Sequence, residues 1–436
     1  MRTQMGARSA KEPMTFRISV SPSFGVLGQT DFRPLLLGTS ISSLGDKLVP
    51  VALAFAVLQL DASPAALGFV LASAMVPMVA LLVIGGVWGD RLPRRRVMIV
   101  CDLVRAAAQA LSAIVLVAGV ARVWEIAALQ AVYGAATAFF TPASQGLVQE
   151  AVVESFLQQA NAFLGISRNV AGVAGPALAA AIVASTGAGW ALAADAVSFL
   201  ASAAFLFRMP TAGRRSRSAA TPFLTDLRVG WREFRTRSWV WASVCHFGLF
   251  HLFVWAPLLV LGPVVAKASL GGASAWATIL AAGSAGAIAG GVVAVRLKPG
   301  RPLVVVFGLM LLFAPQLVLL AVAAPTLLIA GAALLGQAGM SALNITWFAT
   351  LQARVPADAL ARVTSYDWFG SALLLPLGLL LVGPLAATFG AHEILVGAAV
   401  WAVASSASML ALPAIHGFRS GALRADVAGA KAFATA

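Results

Sequence analysis

The chain has 436 residues and a formal net charge of +14, and 60% of its residues are hydrophobic whereas only 11% are charged. A soluble domain carries about 25% charged residues, so this composition excludes a soluble globular protein and predicts one that crosses the membrane many times. The excess of positive charge does not indicate a nucleic-acid partner, because the basic residues stand between apolar segments.

Apolar segments of membrane-spanning length recur along the chain. The twelve predicted spans are residues 35–59, 66–88, 97–120, 124–147, 160–185, 190–208, 240–265, 274–295, 302–324, 326–350, 366–388 and 392–415. The fold class is therefore predicted to be all-α integral membrane, with two six-helix bundles. The predicted parts are a cytoplasmic segment 1–34, a first bundle 35–208, a linker 209–239, a second bundle 240–415 and a tail 416–436.

One short basic segment occurs in both halves. Residues 290–301 align with residues 85–96 without gaps, at an offset of 205, and share the double glycine, the Arg-Leu pair and the final arginine. This repeat predicts two bundles related by pseudo-twofold symmetry. We expect the first copy to be a tight loop between the second and third helices. Val295 stands where the first copy has Asp90, so any role of Asp90 belongs to one half.

The basic residues also predict the orientation. With both termini in the cytoplasm, Arg122 and Lys267 are the two of the 30 lysines and arginines in extracellular segments. Three more, Lys47, Arg105 and Arg168, fall within spans. Basic residues near helix ends resist translocation, so we expect a multi-pass protein of the plasma membrane with cytoplasmic termini.

The linker is rich in arginine and serine. From Pro222 to Phe234 it could form a helix on the anionic membrane surface, with Phe223, Leu227 and Trp231 on one apolar face. A solvated tether is an equally good interpretation.

Short motifs resemble those of a known family. Gly86-x-x-x-Asp90-Arg91-x-x-Arg94-Arg95 is similar to the signature gating loop of the major facilitator superfamily. Other motifs resemble the macrolide-efflux and enterobactin-exporter branch of the drug:proton antiporters: Leu44-Gly45-Asp46, Ser63-Pro64, Leu67-Gly68, Asp102-Leu-Val-Arg105, Pro142-Ala143, Ala160-Asn161, Asp195 and Ser198-Phe199. The resemblance implies a transporter that exports an amphipathic small molecule, such as a drug or macrolide, by proton antiport and alternating access.

The sequence departs from the family pattern in helices five and four. Helix five keeps Gly175-Pro176 of the antiporter signature but has alanines where further glycines are common. Alanine is still small enough for close helix packing. In helix four, Gln130 stands where proton-coupled members often have an arginine.

Asp46 is the candidate for proton coupling. It lies about 17 Å into the first span, near the bilayer midplane where transporters place their sites. An ionisable group at that depth is a functional candidate, although a structural ion pair is the alternative. The neighbouring Lys47 is about 100° further round a regular helix, so we expect it to face elsewhere.

The remaining charged residues in spans suggest a supporting network. Asp102 and Arg105 are three residues apart on helix three and can neutralise each other. With Arg168, which could also reach a substrate or extend to the membrane surface, they form a predicted charge network on the gate side. Asp195 is placed near the end of helix six, where we expect it to cap or pair rather than to couple.

The histidines and aromatic residues are weaker candidates. His246 and His251 are about 140° apart on one helix and cannot chelate a metal from it alone, so a metal site is not predicted. Either could move protons, but a hydrogen-bonded core histidine is the safer interpretation. Aromatic residues that could line an apolar cavity, or simply pack, are Phe139, Phe140, Trp255, Trp347, Trp368 and Phe369.

Three rival functions follow from these patterns. A siderophore exporter of the same fold would have a basic, hydroxyl-rich cavity, for which Arg168 is the obvious cation. A membrane enzyme would need a catalytic set that four scattered histidines do not provide. A receptor or scaffold that does not transport is the third. The chain lacks a phosphate-binding loop for ATP, so we expect no cofactor, a small-molecule substrate, protons as the coupling ion and a monomer in the lipid bilayer.

Overall fold

The structure, a computed structural model, describes residues 25–61, 63–209, 231–232, 234–297 and 299–418, except for the side chains of 83–91, 357–358, 361 and 414. These residues form twelve helices long and apolar enough to cross a membrane, which confirms the predicted number. They are α1 Phe32–Leu60, α2 Pro64–Arg91, α3 Arg94–Val117, α4 Val123–Ala151, α5 Glu154–Ser185, α6 Ala188–Phe207, α7 Ser238–Leu270, α8 Ala273–Arg296, α9 Pro302–Ala321, α10 Thr326–Arg354, α11 Arg362–Phe389 and α12 Ala391–Ala411.

Helix α1 is interrupted near its middle. Its first helical segment ends at Asp46, and the second begins at Val49. Pro50 follows four residues after Asp46, and because proline has no backbone N–H it cannot donate to the Asp46 carbonyl. The backbone turns instead at Lys47 and Leu48. Their N–H groups donate to the carbonyl groups three residues earlier, those of Leu44 and Gly45.

Helix α7 is irregular at the corresponding position of the second half. With the offset of 205 between the halves, His251 is the counterpart of Asp46 in the sequence. A π-helical segment runs from His251 to Trp255. Pro257 lies two residues after this segment and cannot donate a backbone hydrogen bond either. Both central helices thus depart from regular α geometry at equivalent depths, a feature that often accompanies functional sites.

The two halves contact each other mainly through two helix pairs, α5 with α8 and α2 with α11. At the start of α2, Gly68 faces the backbone carbonyl of Leu379 on α11. Nearby, the Lys267 ammonium at the end of α7 donates a hydrogen bond to the Leu58 carbonyl at the end of α1. The halves are therefore held together at the end of the bundle where α1 and α7 finish.

The connection between α2 and α3 is shorter than the sequence indicated. The predicted loop over residues 85–96 is wrong in extent, because α2 continues to Arg91 and α3 begins at Arg94. Proline disfavours helical backbone at the residue before it, so the turn is confined to Leu92 and Pro93. Gly86, Asp90 and Arg91 lie on the helical backbone of α2.

Several predictions concern parts of the chain that lie outside the described residues. These parts are the side chains of Asp90 and Arg91, residues 1–24 of the N-terminal segment, most of the linker and the tail beyond residue 418. The end of the predicted linker helix is described. There, Trp231 and Phe234 stack at 5.8 Å between ring centroids, and each ring lies 5.7 Å from that of Tyr366 on α11.

Candidate functional site

A cavity of about 350 Å³ lies between the two halves. This volume is at the lower end of the range of about 300–1,000 Å³ that is usual for small-molecule pockets. Helices α1 and α5 supply its walls from the first half, and α8 supplies the wall from the second. The lining residues are Ser43, Asp46, Lys47, Arg168, Asn169, Gly172, Ser284 and Ala287.

Asp46 and Lys47 both line this cavity, which differs from the expectation that they face apart. The reason is the interruption of α1, because the regular rotation of about 100° per residue ends where the α-helix ends. On α5, Gly175 allows close approach to the turn. A Cβ atom at Gly175 would overlap the Cβ atom of Lys47. The predicted helix-five motif therefore packs directly against the turn that carries Lys47.

On the side away from the cavity, Asp46 joins a buried polar network. The Tyr133 hydroxyl on α4 donates a hydrogen bond of 2.6 Å to Asp46 Oδ1. Asp46 also interacts electrostatically with the Arg105 guanidinium on α3. One carboxyl group thus connects the cavity with the interior of the first bundle.

Arg105 and Asp102 form an ion pair in that interior. Arg105 is 2% exposed and Asp102 is fully buried. The Ser202 hydroxyl on α6 donates a bond of 2.7 Å to Asp102 Oδ2. The Arg105 guanidinium lies between two rings, 3.9 Å from the centroid of Phe140 and 4.2 Å from that of Phe199. These stacked contacts suit the planar guanidinium of arginine and not the ammonium of lysine.

A chain of amides reaches the third carboxyl group of the network. Gln130 Nε2 donates to Gln109 Oε1 at 3.0 Å, and Gln109 Nε2 donates to Asp195 Oδ2 at 2.9 Å. All three residues are buried. Gly45 leaves room for Asp195 and Ser198 to approach α1 beside Asp46. Gln130 and Asp195 are therefore brought into one network, and Arg105, a buried cation of this bundle, lies on α3.

Among the described residues, the network contains more acids than bases. Asp46, Asp102 and Asp195 supply three carboxyl groups, and Arg105 supplies one guanidinium. Asp46 interacts electrostatically with each of the other three. If every carboxyl group were ionised, two negative charges would be uncompensated, which a poorly hydrated interior disfavours. The carboxyl groups of the network can therefore hold bound protons.

Two other parts of the predicted site lie apart from the buried network. Arg168 is exposed and lines the cavity, so it does not join Asp102 and Arg105. Arg94 and Arg95 lie in the first turn of α3 and hold it against neighbouring helices. Arg94 Nη1 bonds the Gly146 carbonyl at 3.0 Å and Glu150 Oε1 at 3.1 Å. Arg95 Nε donates to the Leu206 carbonyl at 2.7 Å.

Sequence reasoning missed the uncharged members of the network, Tyr133, Gln109 and Ser202. One signal could have found Gln109. Polar residues recur at 102, 105, 109 and 112 of α3, a spacing that places them on one helix face. All four are buried. The same spacing could also have found Tyr133 and Ser202, because Gln130, Tyr133 and Thr137 recur in this way on α4, as do Asp195, Ser198 and Ser202 on α6.

The second half has its own buried polar groups. The Trp347 indole Nε1 donates to Asp367 Oδ2 at 3.1 Å, and both residues are buried. The His246 ring stacks on Trp401, with 5.8 Å between centroids. His251 Nδ1 bonds the Phe247 carbonyl at 2.8 Å. Of these, Asp367 and Trp347 pair on α11 and α10, and the histidines pack within the second bundle.

Comparison with known proteins relates most of the chain to one family. The model of the Major Facilitator Superfamily matches residues 35–374. The MFS-type transporter YfiS of Bacillus subtilis (strain 168) is 30% identical over 183 residues, 42% of this chain and 43% of that protein. Macrolide efflux protein A of Streptococcus pyogenes is 23% identical over 236 residues, 54% of this chain and 58% of that protein. The chain thus spans about half the length of the curated relatives it matches.

Solved structures share the fold. A mutant of the nucleoside transporter NupG superposes with a TM-score of 0.72 at 12% identity, over 86% of this chain and 98% of that chain. A bacterial homologue of the human lysosomal transporter Spinster, in an inward-facing and unoccupied conformation, gives a TM-score of 0.70 at 16% identity over 93% and 100%. At these identities the likeness confirms the predicted fold.

Proposed function

Because this chain belongs to the Major Facilitator Superfamily, we propose that it is a secondary active transporter that exports an amphipathic small molecule in exchange for protons. The observation that carries this proposal is the position of Asp46. Its carboxyl group faces the cavity between the halves and also bonds to the buried network through Tyr133. A group in both places can exchange a proton when the cavity gains or loses a substrate.

The proposed cycle follows from alternating access. When the cavity opens to the outside, Asp46 accepts a proton and releases the substrate. When it opens to the cytoplasm, the proton leaves and substrate binds again. Inward movement of protons thereby drives outward movement of substrate. The paired helices α5/α8 and α2/α11 are the surfaces that would rearrange between these two states.

We also propose that both termini are cytoplasmic and that the membrane is the plasma membrane. At the end of the bundle where α1 starts, basic residues lie in or beside the described connections. Arg94 and Arg95 begin α3, Arg296 ends α8, and Arg301 precedes α9. At the opposite end the connections are short, and Arg122 lies in one of them. Basic residues concentrate on the cytoplasmic side of membrane proteins, which supports this orientation.

The experiment is a flux measurement in proteoliposomes loaded with a radiolabelled macrolide, the compound class in the names of three relatives. An imposed proton gradient, with the substrate-accepting side acidic, should drive efflux that a protonophore abolishes. Protein-free vesicles provide the baseline. Flux equal to that baseline for every amphipathic compound tried would favour the alternative of a receptor or scaffold.

A siderophore exporter is the second candidate, and a specific observation favours it. The cavity is more basic than the sequence indicated, because Lys47 lines it together with Arg168. Two hydroxyl groups, on Ser43 and Ser284, are also present. A catecholate siderophore should then be exported in the same vesicles, and competition between it and the macrolide would show which compound the site prefers.

A further inference from the structure

The cavity presents free charges of both signs. Asp46 Oδ1 accepts the bond from Tyr133, whereas Oδ2 has no hydrogen-bond partner among the described residues. Lys47 and Arg168 form no ion pair within the described part of the chain, and both are exposed to the cavity. A carboxylate oxygen and two cations therefore line one space of about 350 Å³ without neutralising one another through direct contact.

We propose that this cavity binds an amphoteric substrate, a molecule with an amine that contacts Asp46 and an acidic group that contacts Lys47 and Arg168. The inference rests on the proposed function, since it names the substrate class of the same site. Neither a macrolide nor any other compound with a single charge would use all three side chains.

The direction of coupling supports the amine. A cationic amine and a proton compete for the same carboxylate, so binding one displaces the other, as exchange in opposite directions requires. An acid without an amine has the opposite effect. Its negative charge beside Asp46 would favour protonation, so acid and proton would bind together and travel in the same direction. Antiport therefore needs the positive group.

The cavity walls support the acidic group. With Asp46 ionised, the three charged side chains sum to +1, so a substrate carrying only an amine would meet two like charges. The guanidinium of Arg168 can bond a carboxylate at two points, and Lys47 adds a compact charge beside it. Ser43, Ser284 and Asn169 supply neutral groups that can orient the ligand.

On the opposite side, Asp46 faces described groups that the ligand does not reach directly. They are Tyr133 on α4, Arg105 and Asp102 on α3, and Asp195 on α6. Arg105 is the cation among these groups, and it already pairs with Asp102. The two cations of the cavity form no ion pair within the described part of the chain, so they remain available to the ligand.

The first test measures the charge of the cavity without a substrate. A cysteine replaces Ser284 in protein whose Cys101 and Cys245 are both changed to alanine. Its rates of modification by an anionic and by a cationic methanethiosulfonate reagent are compared. The ratio of anionic to cationic rate should fall by at least about threefold in Lys47→Gln and in Arg168→Gln, and rise in Asp46→Asn. Arg122→Gln, a cation outside the cavity, is the control and should leave the ratio unchanged.

This readout does not depend on transport, so it separates failure of the inference from failure of the proposed function. A ratio that stays constant in both Lys47→Gln and Arg168→Gln overturns the acid-binding half. A ratio that does not rise in Asp46→Asn overturns the amine-binding half.

The second test compares three related compounds in proteoliposomes. The probes are a fluoroquinolone with a free amine and a carboxylate, its methyl ester, which keeps only the amine, and its N-acetyl derivative, which keeps only the acid. The zwitterion should move fastest in wild-type protein, and Lys47→Gln should raise its KM more than that of the ester. Faster movement of the ester or of the N-acetyl derivative would contradict the amphoteric assignment.

Discussion

The Tyr133 hydroxyl donates a hydrogen bond of 2.6 Å to Asp46 Oδ1, and this bond joins the cavity to the buried network. It connects α4 with the interrupted segment of α1, so it holds the proposed coupling residue in place. Tyr133 also lies against the Phe199 ring, 6.0 Å between centroids, which restricts the orientation of its own ring.

The first prediction removes only this bond. Tyr133→Phe should slow gradient-driven efflux by at least about tenfold, because a hydrogen bond to a charged group contributes about 1.5–3 kcal/mol. Exchange without a gradient should change less. The other tyrosine of the chain, Tyr366, lies in the second half, and Tyr366→Phe is the matched control. Equal losses of gradient-driven flux in both variants would show that the Tyr133 bond has no special role.

The second prediction concerns the stability of the buried ion pair. Arg105→Gln should be strongly destabilising, by about 3–5 kcal/mol, because it leaves the buried Asp102 carboxylate without its cation. Asp102→Asn should be milder, since Ser202 and the two aromatic rings still contact the pair's remaining atoms. Combining the two changes should recover part of the loss, as expected for residues in contact. Thermal unfolding in detergent measures the stability loss of each single variant and of the double variant. A loss in the double variant equal to the sum of the two single losses would contradict the interpretation.

The third prediction tests the contact between α5 and the turn of α1. Gly175→Val should abolish transport and lower the unfolding temperature, because the added side chain would collide with Lys47. Gly165→Val on the same helix is the control, since a Cβ atom there meets nothing within 4 Å. Wild-type transport by Gly175→Val, at equal amounts in the membrane, would show that the close approach is not needed.

The fourth prediction tests the orientation. In protein without native cysteines, Val120→Cys should react with a membrane-impermeant thiol reagent added to intact cells, whereas Glu154→Cys should react only after lysis. Val120 lies in the connection before α4 and Glu154 lies at the start of α5, so the two positions are at opposite ends of the bundle. Labelling of Glu154→Cys alone in intact cells would mean that the chain is inserted the other way.

The sequence predicted the helices well because membrane spans have a simple physical signature. Long apolar runs and basic connections are visible in the composition of each segment. The prediction failed at two prolines that change local geometry. Pro50 interrupts α1 after Asp46, where a regular helix was expected. Pro93 restricts the α2–α3 connection to two residues, so the tight loop is shorter than the predicted range 85–96.

The site was predictable only in part for a different reason. Asp46, Asp102, Arg105 and Asp195 stand out because charges in apolar spans are costly. The sequence does not show that Asp195 pairs with Gln109 on α3 or Asp46 with Tyr133 on α4, because these pairs depend on packing between helices. The cavity likewise depends on α8, where Ser284 and Ala287 resemble any small residues of a membrane helix.

The central claim is that Asp46 couples protons to substrate movement, and one comparison tests it most directly. Wild-type and Asp46→Asn proteins are reconstituted with the same transported compound, and efflux driven by an imposed pH gradient is compared with exchange at zero gradient. Asparagine mimics the protonated acid, so the variant should lose uphill efflux and keep exchange. Unimpaired gradient-driven efflux by Asp46→Asn would contradict the account, and Asp102 and Asp195 would then be the carboxyl groups to test.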